Sequence, residues 1–280
     1  MRALRNLGVR LDLLFNANCY GGLAVSEYLA HEVISILEHL DKIVGGVETV
    51  TTTSLAIAYI IKNEFPEIEV RASVNMRLGT IQAMQYVAEY FDGYYVQREY
   101  NRDFARLKQL KNWADEKEKK LYLLANSGCL YTCPGQTFHD NMVAHEREID
   151  EMRNIAGWTP HVCWHNFQDP SKWSAVLQGS WIRPEDLHQY EELFPVVKLA
   201  TRMHAQPRAV IEAYLEGQYY GNLLDLLEPG FSPAFAPYIL DNKRFPEDWF
   251  QRTTTCGHNC HTCGFCPQVL EQVLVKMEGY

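Results

Sequence analysis

Four cysteines crowd into one short stretch near the end of the chain, Cys256-x3-Cys260-x2-Cys263-x2-Cys266, with Pro267 directly after them. Thiolates at two- and three-residue spacing can close around one cation or cluster, because such short loops let every sulfur turn inward. Unpaired surface thiols at this density would invite oxidation, so the spacing favours metal binding. Zinc and iron–sulfur both stay open. His258 and His261 inside the motif suit zinc, whereas four cysteines with a trailing proline match ferredoxin-type ligation in reversed order. Cys256, Cys260 and Cys263 also spell the radical-SAM triplet, but that triplet belongs after a first barrel strand and here stands at the far end of the chain.

The remaining cysteines are dispersed. Cys129 and Cys133 lie in NSGCLYTCPGQTFHDN, Cys163 in HVCWHN and Cys19 in NANCYGG. On a barrel, Cys19 and Cys129 would each follow a strand end and point to one mouth, with Cys163 joining from the loop after the fifth unit. Cys19 and Cys163 could equally be small buried residues. His139 follows Cys129 and Cys133 closely enough to be a candidate catalytic group; His145, His161 and His165 read as structural or surface histidines. Lys198 and Arg202 fall on the late strand VVKLATR. A lysine inside a barrel must pair or act, and an arginine fork suits a carboxylate or phosphate; an internal salt bridge is the competing reading. No HExxH occurs, and no Ser/His/Asp or Cys/His arrangement stands out in the sequence. Trp158, Trp164, Trp173 and Trp181 read as core.

These residues sit in a chain of 280 residues with 47% hydrophobic content and a net charge of −9. The length suits one large domain or two small ones with a substantial core. The negative balance argues against a protein whose main task is gripping a phosphate backbone. No run of about 18 apolar residues exists to span a membrane. The opening MRALRNLGVRLDLLFNANCYGG is interrupted by Arg10 and Asp12 and fails as a signal peptide, so the chain reads as cytoplasmic. In a reducing compartment, its eight cysteines point to metal or catalysis rather than to disulfides.

The elements that must position these groups alternate. Strands are expected at Leu11–Phe15, Glu48–Thr52, Glu69–Val74, Tyr94–Gln97, Leu121–Ala125 and Val196–Ala200, with a weaker one near Ser180–Arg183. Between them, residues 24–40 place Val25, Leu29, Val33, Ile36, Leu37 and Leu40 on one helical face. Ser54 caps a helix reaching about Glu64, Thr80 starts another, and Asn101 or Asp103 opens a third. Strand–helix alternation implies parallel βαβ units. Polar residues end several strands: Asn16 and Asn18, Asn75, Asn126, and Lys198 with Arg202. That pattern matches the active face of a (β/α)8 barrel, whereas a Rossmann sheet would need a glycine-rich turn that is missing here. The expected fold is therefore a TIM-barrel-like α/β barrel over 1–228. About seven strands are countable, so it seats its first strand one element late. Residues 229–280 form a wrapping segment with the four-cysteine motif and a short amphipathic helix, Val269–Lys276.

Several segments together resemble the peptidase U32 family, also called collagenase-like proteases. They are GVETVTTTSLAIAYIIKNEFPEIEVRASVNMRLGTIQAMQYV, REYNRDFARLKQL, LLANSGCLYTCPGQTFHDNMVAHE, SWIRPEDLHQYEEL, VVKLATRM and GNLLDLLEP. The resemblance covers roughly residues 10–228 and continues into the terminal cysteines. It implies a TIM-barrel-like fold. It also implies, from several members, oxygen-independent hydroxylation of ubiquinone precursors or RNA bases, with a [4Fe–4S] cluster on four cysteines and prephenate linked to the reaction. Cys129 and Cys133 match the family's cysteine-bearing segment, with Cys163 as third ligand and Cys19 or a C-terminal cysteine as fourth. Lys198 and Arg202 match the family's lysine and arginine on a late strand. Two departures stand out: family members carry a strand ahead of the first strand here, and Cys129 and Cys133 are closer together than in the hydroxylating members.

The expectation is an iron–sulfur enzyme of this type with one or two [4Fe–4S] clusters. Lys198, Arg202 and His139 would act on an anionic small molecule oriented by Asn16, Asn75 and Asn126, and RNA stays open as a substrate. A U32-type peptidase is the second expectation. The third is a non-catalytic assembly subunit holding zinc at Cys256, Cys260, Cys263 and Cys266, with a protein partner or second copy supplying the missing element.

Overall fold

The computed structural model describes residues 1–278 and divides the chain into two compact units. Unit 1 comprises residues 1–97, 112–121 and 137–156; unit 2 comprises 98–111, 122–136 and 157 onward.

Unit 1 opens with α1 (Arg2–Asn6) and then alternates β1 (Asp12–Phe15), α2 (Glu27–Val44), β2 (Thr49–Thr52), α3 (Leu55–Glu64), β3 (Glu69–Ala72), α4 (Ile81–Gln85) and β4 (Gly93–Tyr95). The four strands lie parallel in chain order, with Leu13 beside Val50, Val50 beside Val70, and Ala72 beside Tyr94. Helices α2, α3 and α4 each start on a side-chain cap that satisfies one of their free N–H groups. Ser26 Oγ accepts from Leu29 N, Ser54 Oγ from Ile57 N and Thr80 Oγ1 from Ala83 N. Gly45 ends α2 in the left-handed region, φ 73°, which costs glycine little. The expected α2 stripe is narrower than its sequence pattern: Leu29, Val33, Leu37 and Leu40 are buried, while Val25 is 90% exposed and Ile36 also faces out. Val25 precedes the cap, so it never joins the helical face. Arg5 bonds Glu48, whose other carboxylate oxygen accepts from Leu11 N at 2.8 Å, so one acidic side chain ties α1 to the entry of β1.

In unit 2, β5 (Lys120–Leu124) runs parallel to β6 (Val197–Lys198), Leu124 beside Lys198. Helix α5 (Phe104–Glu116) is shared between the two units, α6 (Gln136–Ala144) lies almost wholly and α7 (Glu146–Asp150) wholly in unit 1, and α8 (Val162–Phe167), α9 (Pro207–Glu216), α10 (Ser232–Phe235), α11 (Trp249–Thr254) and α12 (Phe265–Val273) belong to unit 2. Six parallel strands, not seven, stand among the described residues. The segment Ser180–Arg183 forms no ladder; it is tied to β5 by Ile182 N donating to the Ala125 carbonyl at 2.8 Å. The terminal helix ends at Val273 rather than Lys276. Leu274–Lys276 is instead a strand, β8, antiparallel to β7 (Tyr238–Leu240). That pairing satisfies backbone groups a last helical turn would leave open.

The core of unit 2 is aromatic. Trp181 and Trp249 stack with centroids 5.7 Å apart, and the guanidinium of buried Arg102 lies 4.6 and 5.2 Å from their ring centroids. Arg102 donates to the carbonyls of Trp181 and Leu177, so its hydrogen-bonding capacity is used inside the fold. Trp173 is buried as expected, whereas Trp158 is 55% exposed and is no core residue.

Candidate functional site

In unit 1, the chain leaving β1 carries Asn16, Asn18 and Cys19. Tyr20 Oη donates to the Phe15 carbonyl at 2.8 Å, which folds this loop back on the strand it leaves. Asn18 Nδ2 donates to the Asn75 carbonyl at 3.5 Å and to Asp140 on α6 at 3.4 Å, and Arg77 meets the same Asp140 oxygen at 3.3 Å and Thr137 Oγ1 at 3.2 Å. These bonds pin α6 against the loops after β1 and β3, with His145 just past its end. The neighbouring His145 side chain and the N–H of Gly21, 3.4 Å from the sulfur, hold the Cys19 thiol below its ordinary range. Cys19 in turn raises His145, and Glu148 Oε1, 3.8 Å from its Nδ1, adds to the effect.

The other seven cysteines belong to unit 2. Arg98 donates to Cys129 Sγ at 3.2 Å. Cys163 is pushed up to about 11, first by burial and then by the nearby charges of Cys129 and Cys133, so these three thiols share one neighbourhood. The loop holding Cys133 packs hard on α8: a methyl on Gly135 would stand 2.8 Å from Val162 Cγ2. In the C-terminal motif, burial pushes Cys266 up to about 11. It lies within electrostatic reach of Cys256, Cys260 and Cys263, and of Arg102, which opposes the shift. Tyr131, between Cys129 and Cys133, stacks on His258, between Cys256 and Cys260, with centroids 4.3 Å apart and planes 2° from parallel. The loops bearing the two cysteine sets therefore touch. Among the described residues no three His, Cys, Asp or Glu side chains converge tightly enough to hold a single metal ion.

The other expected site residues divide. Asn126 is fully buried and its amide is spent on backbone: Nδ2 donates to Ala200 and Leu226 carbonyls at 2.6 and 2.9 Å, and Oδ1 accepts from Ala200 N at 2.7 Å. It fastens β5 to the chain after β6 and has no group left to orient a substrate, a correction to its expected role. Asn75 is half-buried in the turn after β3, and Asn16 half-buried after β1. Lys198 is half-buried on β6, Arg202 is exposed beyond it, and His139 is half-buried on α6. The sequence gave no hint of a cavity of about 600 Å³ in unit 2, lined by Trp164, His204, Tyr219, Leu227 and Ser232 among others. Nε2 of His204 is buried without a hydrogen-bond partner among the described residues. Trp164 follows Cys163 directly, which sets the cavity beside one thiol set.

Parallel strands joined by helices, with thiols after the strand ends, define an α/β protein of barrel-related type. No family model matches the sequence. It is 26% identical over 269 residues to the uncharacterized protease MJ1657 of Methanocaldococcus jannaschii, covering 95% of this chain and 77% of that one. Its fold is similar to that of the U32 peptidase Mk0906, with a TM-score of 0.52 and 16% identity over 70% of each chain. The homologue is similar over most of its length, and the structural neighbour shares the fold.

Proposed function

We propose that the chain is an iron–sulfur-dependent enzyme of the U32 type, carrying out oxygen-independent hydroxylation or related redox chemistry on an anionic small molecule or an RNA base. The observation that carries this reading is the Tyr131–His258 stack, which joins the loops of two thiol sets within one unit. The donor chemistry fits. Soft thiols are the ligands that select iron–sulfur clusters. Arg98 donates to Cys129 Sγ, and the positive charge of Arg102 favours the thiolate of Cys266.

Cys129, Cys133 and Cys163 would hold one cluster with a fourth ligand from the C-terminal motif, or Cys256, Cys260, Cys263 and Cys266 would hold a second. When bound, such a cluster supplies one-electron redox chemistry. The chain's own residues would do the rest. The cavity beside Trp164 excludes water around a small substrate, His204 offers Nε2 as a hydrogen-bonding group, and Lys198 and Arg202 attract its negative charge.

Anaerobically purified protein should be brown, absorb near 400 nm and contain about four or eight irons per chain with matching sulfide. A colourless protein loaded with zinc would overturn the proposal and favour the assembly-subunit reading. The names of both relatives also bring proteolysis to this chain as a second reading.

A further inference from the structure

The cavity of unit 2 carries one sign of fixed charge in its wall. Asp225 stands in the lining, and no lysine or arginine stands among the lining residues. Most of the remaining wall is apolar, with Trp164, Met203, Val210 and Leu224 in it. We infer that this cavity binds a small zwitterion with an apolar side chain, an amino acid or a close analogue, with its ammonium at Asp225 and its carboxylate at the start of α9. The inference deepens the reading of the cavity as the substrate site, and rests on that reading for turnover but not for binding.

The acidic group is held in place from one side. Ser232 Oγ donates to Asp225 Oδ1 at 2.5 Å, and Asn222 Nδ2 donates to the same oxygen at 3.4 Å. Asn222 is buried, and its Oδ1 accepts from Leu224 N and Leu240 N at 3.3 and 3.0 Å, which ties the turn bearing Asp225 to β7. Both side-chain bonds fall on Oδ1, and Oδ2 accepts none among the described residues. An ammonium there would complete the carboxylate with a charge-assisted hydrogen bond, strengthened by the apolar wall around it. The rings of Trp164 and Tyr219 in the same lining attract a cation as well. His204, another lining residue, has its Nε2 buried without a hydrogen-bond partner among the described residues. In the Nδ1–H tautomer that nitrogen is an acceptor for a second ammonium N–H.

The negative end of the ligand has a separate place. Gln206 and Ala209, at the start of α9, also line the cavity. Gln206 occupies the capping position of this ten-residue helix and makes no side-chain cap. The positive end of the helix therefore stays open at the cavity wall, where a carboxylate is favoured. Met203 N donates to Glu228 Oε2 at 3.1 Å, fastening the loop that leads into α9 to the segment before Pro229. A purely anionic ligand would meet Asp225, and a simple amine would leave the helix start unused; a zwitterion satisfies both.

The test is isothermal titration calorimetry of the full chain with three probes. They are L-phenylalanine, phenethylamine, which lacks its carboxylate, and 3-phenylpropionate, which lacks its amine. Phenylalanine should bind about tenfold or more tightly than either analogue. Asp225→Asn should weaken phenylalanine and phenethylamine about tenfold and leave 3-phenylpropionate unchanged. Gln206→Asp supplies α9 with a cap and sets a negative charge where the carboxylate should lie. Its thermal midpoint should hold or rise, while phenylalanine weakens about tenfold and phenethylamine does not weaken. Either analogue binding as tightly as phenylalanine overturns the inference, as does no binding of phenylalanine at about 10 mM. So does a folded Asp225→Asn or Gln206→Asp that binds all three probes as the unaltered protein does. A colourless protein that binds phenylalanine keeps this inference and loses the iron–sulfur reading; a brown protein that binds none of the probes does the reverse.

Discussion

The thiol of unit 1 and the thiols of unit 2 stand in opposite electrical surroundings. Cys19 faces an imidazole that can carry the positive charge and a backbone N–H that points at its sulfur, so its thiolate is favoured. Cys163 and Cys266 are surrounded by protein and by other thiols, so their charged forms are disfavoured until a cation arrives. What separates them is the charge each sulfur meets, which sequence spacing does not encode.

The sharpest way to break this comparison is to remove a ligand. Cys266→Ser should abolish the iron and sulfide held by the C-terminal motif, read by chemical analysis and by absorbance near 400 nm, because loss of one thiolate from a four-sulfur set opens the cluster to solvent. Loading of the intact protein should also release protons and weaken as pH falls, since Cys163 and Cys266, both pushed up to about 11, must ionise to bind. Iron retained in full by Cys266→Ser would mean that the terminal motif holds none.

Next in size is Gly128→Ala. A methyl there would run into the Pro229 carbonyl oxygen and press on Leu227 at 3.2 Å, while the Gly128 N–H is already bonded to the Glu228 carbonyl at 2.9 Å. Overpacking against backbone should cost about 1–3 kcal/mol in urea denaturation. Because Gly128 precedes Cys129, iron content should fall with stability. Gly264→Ala, where a methyl meets nothing within 4 Å, is the control and should change little.

How much of this was readable beforehand follows from the range of each interaction. Strands β1 to β6 lie within a few residues of their expected places. Helices α3 and α4 start on the serine and threonine that their local sequence marks, because a cap acts over three residues. Ser180–Arg183 has the alternation of a strand, yet only Ile182 finds a backbone partner on β5, and a ladder depends on what lies beside it. VLVK continues a helical pattern until β7 offers Leu274–Lys276 a strand to pair with. The site was harder to read. Asn126 has the residue type and position of a substrate ligand, but its amide is consumed by backbone groups far along the chain. Asn18 and Arg77 converge on Asp140 from loops far along the chain, a long-range arrangement with no local spacing to announce it.

The smallest effect concerns how firmly the strand leading to Cys19 is held. Glu48 accepts from Arg5 and from Leu11 N, and these bonds hold its carboxyl below the usual carboxylate range. A group whose folded pKa is depressed contributes stability that is present above its unfolded value and lost as pH falls through the folded one. Stability from Glu48 should therefore be full at neutral pH and should decline below about pH 4.3, the ordinary range of glutamate. The side chains are partly exposed, so solvent screens the pair and the loss should be a fraction of a kcal/mol. Glu48→Gln should flatten that part of the stability profile, read by thermal denaturation from pH 3 to 7.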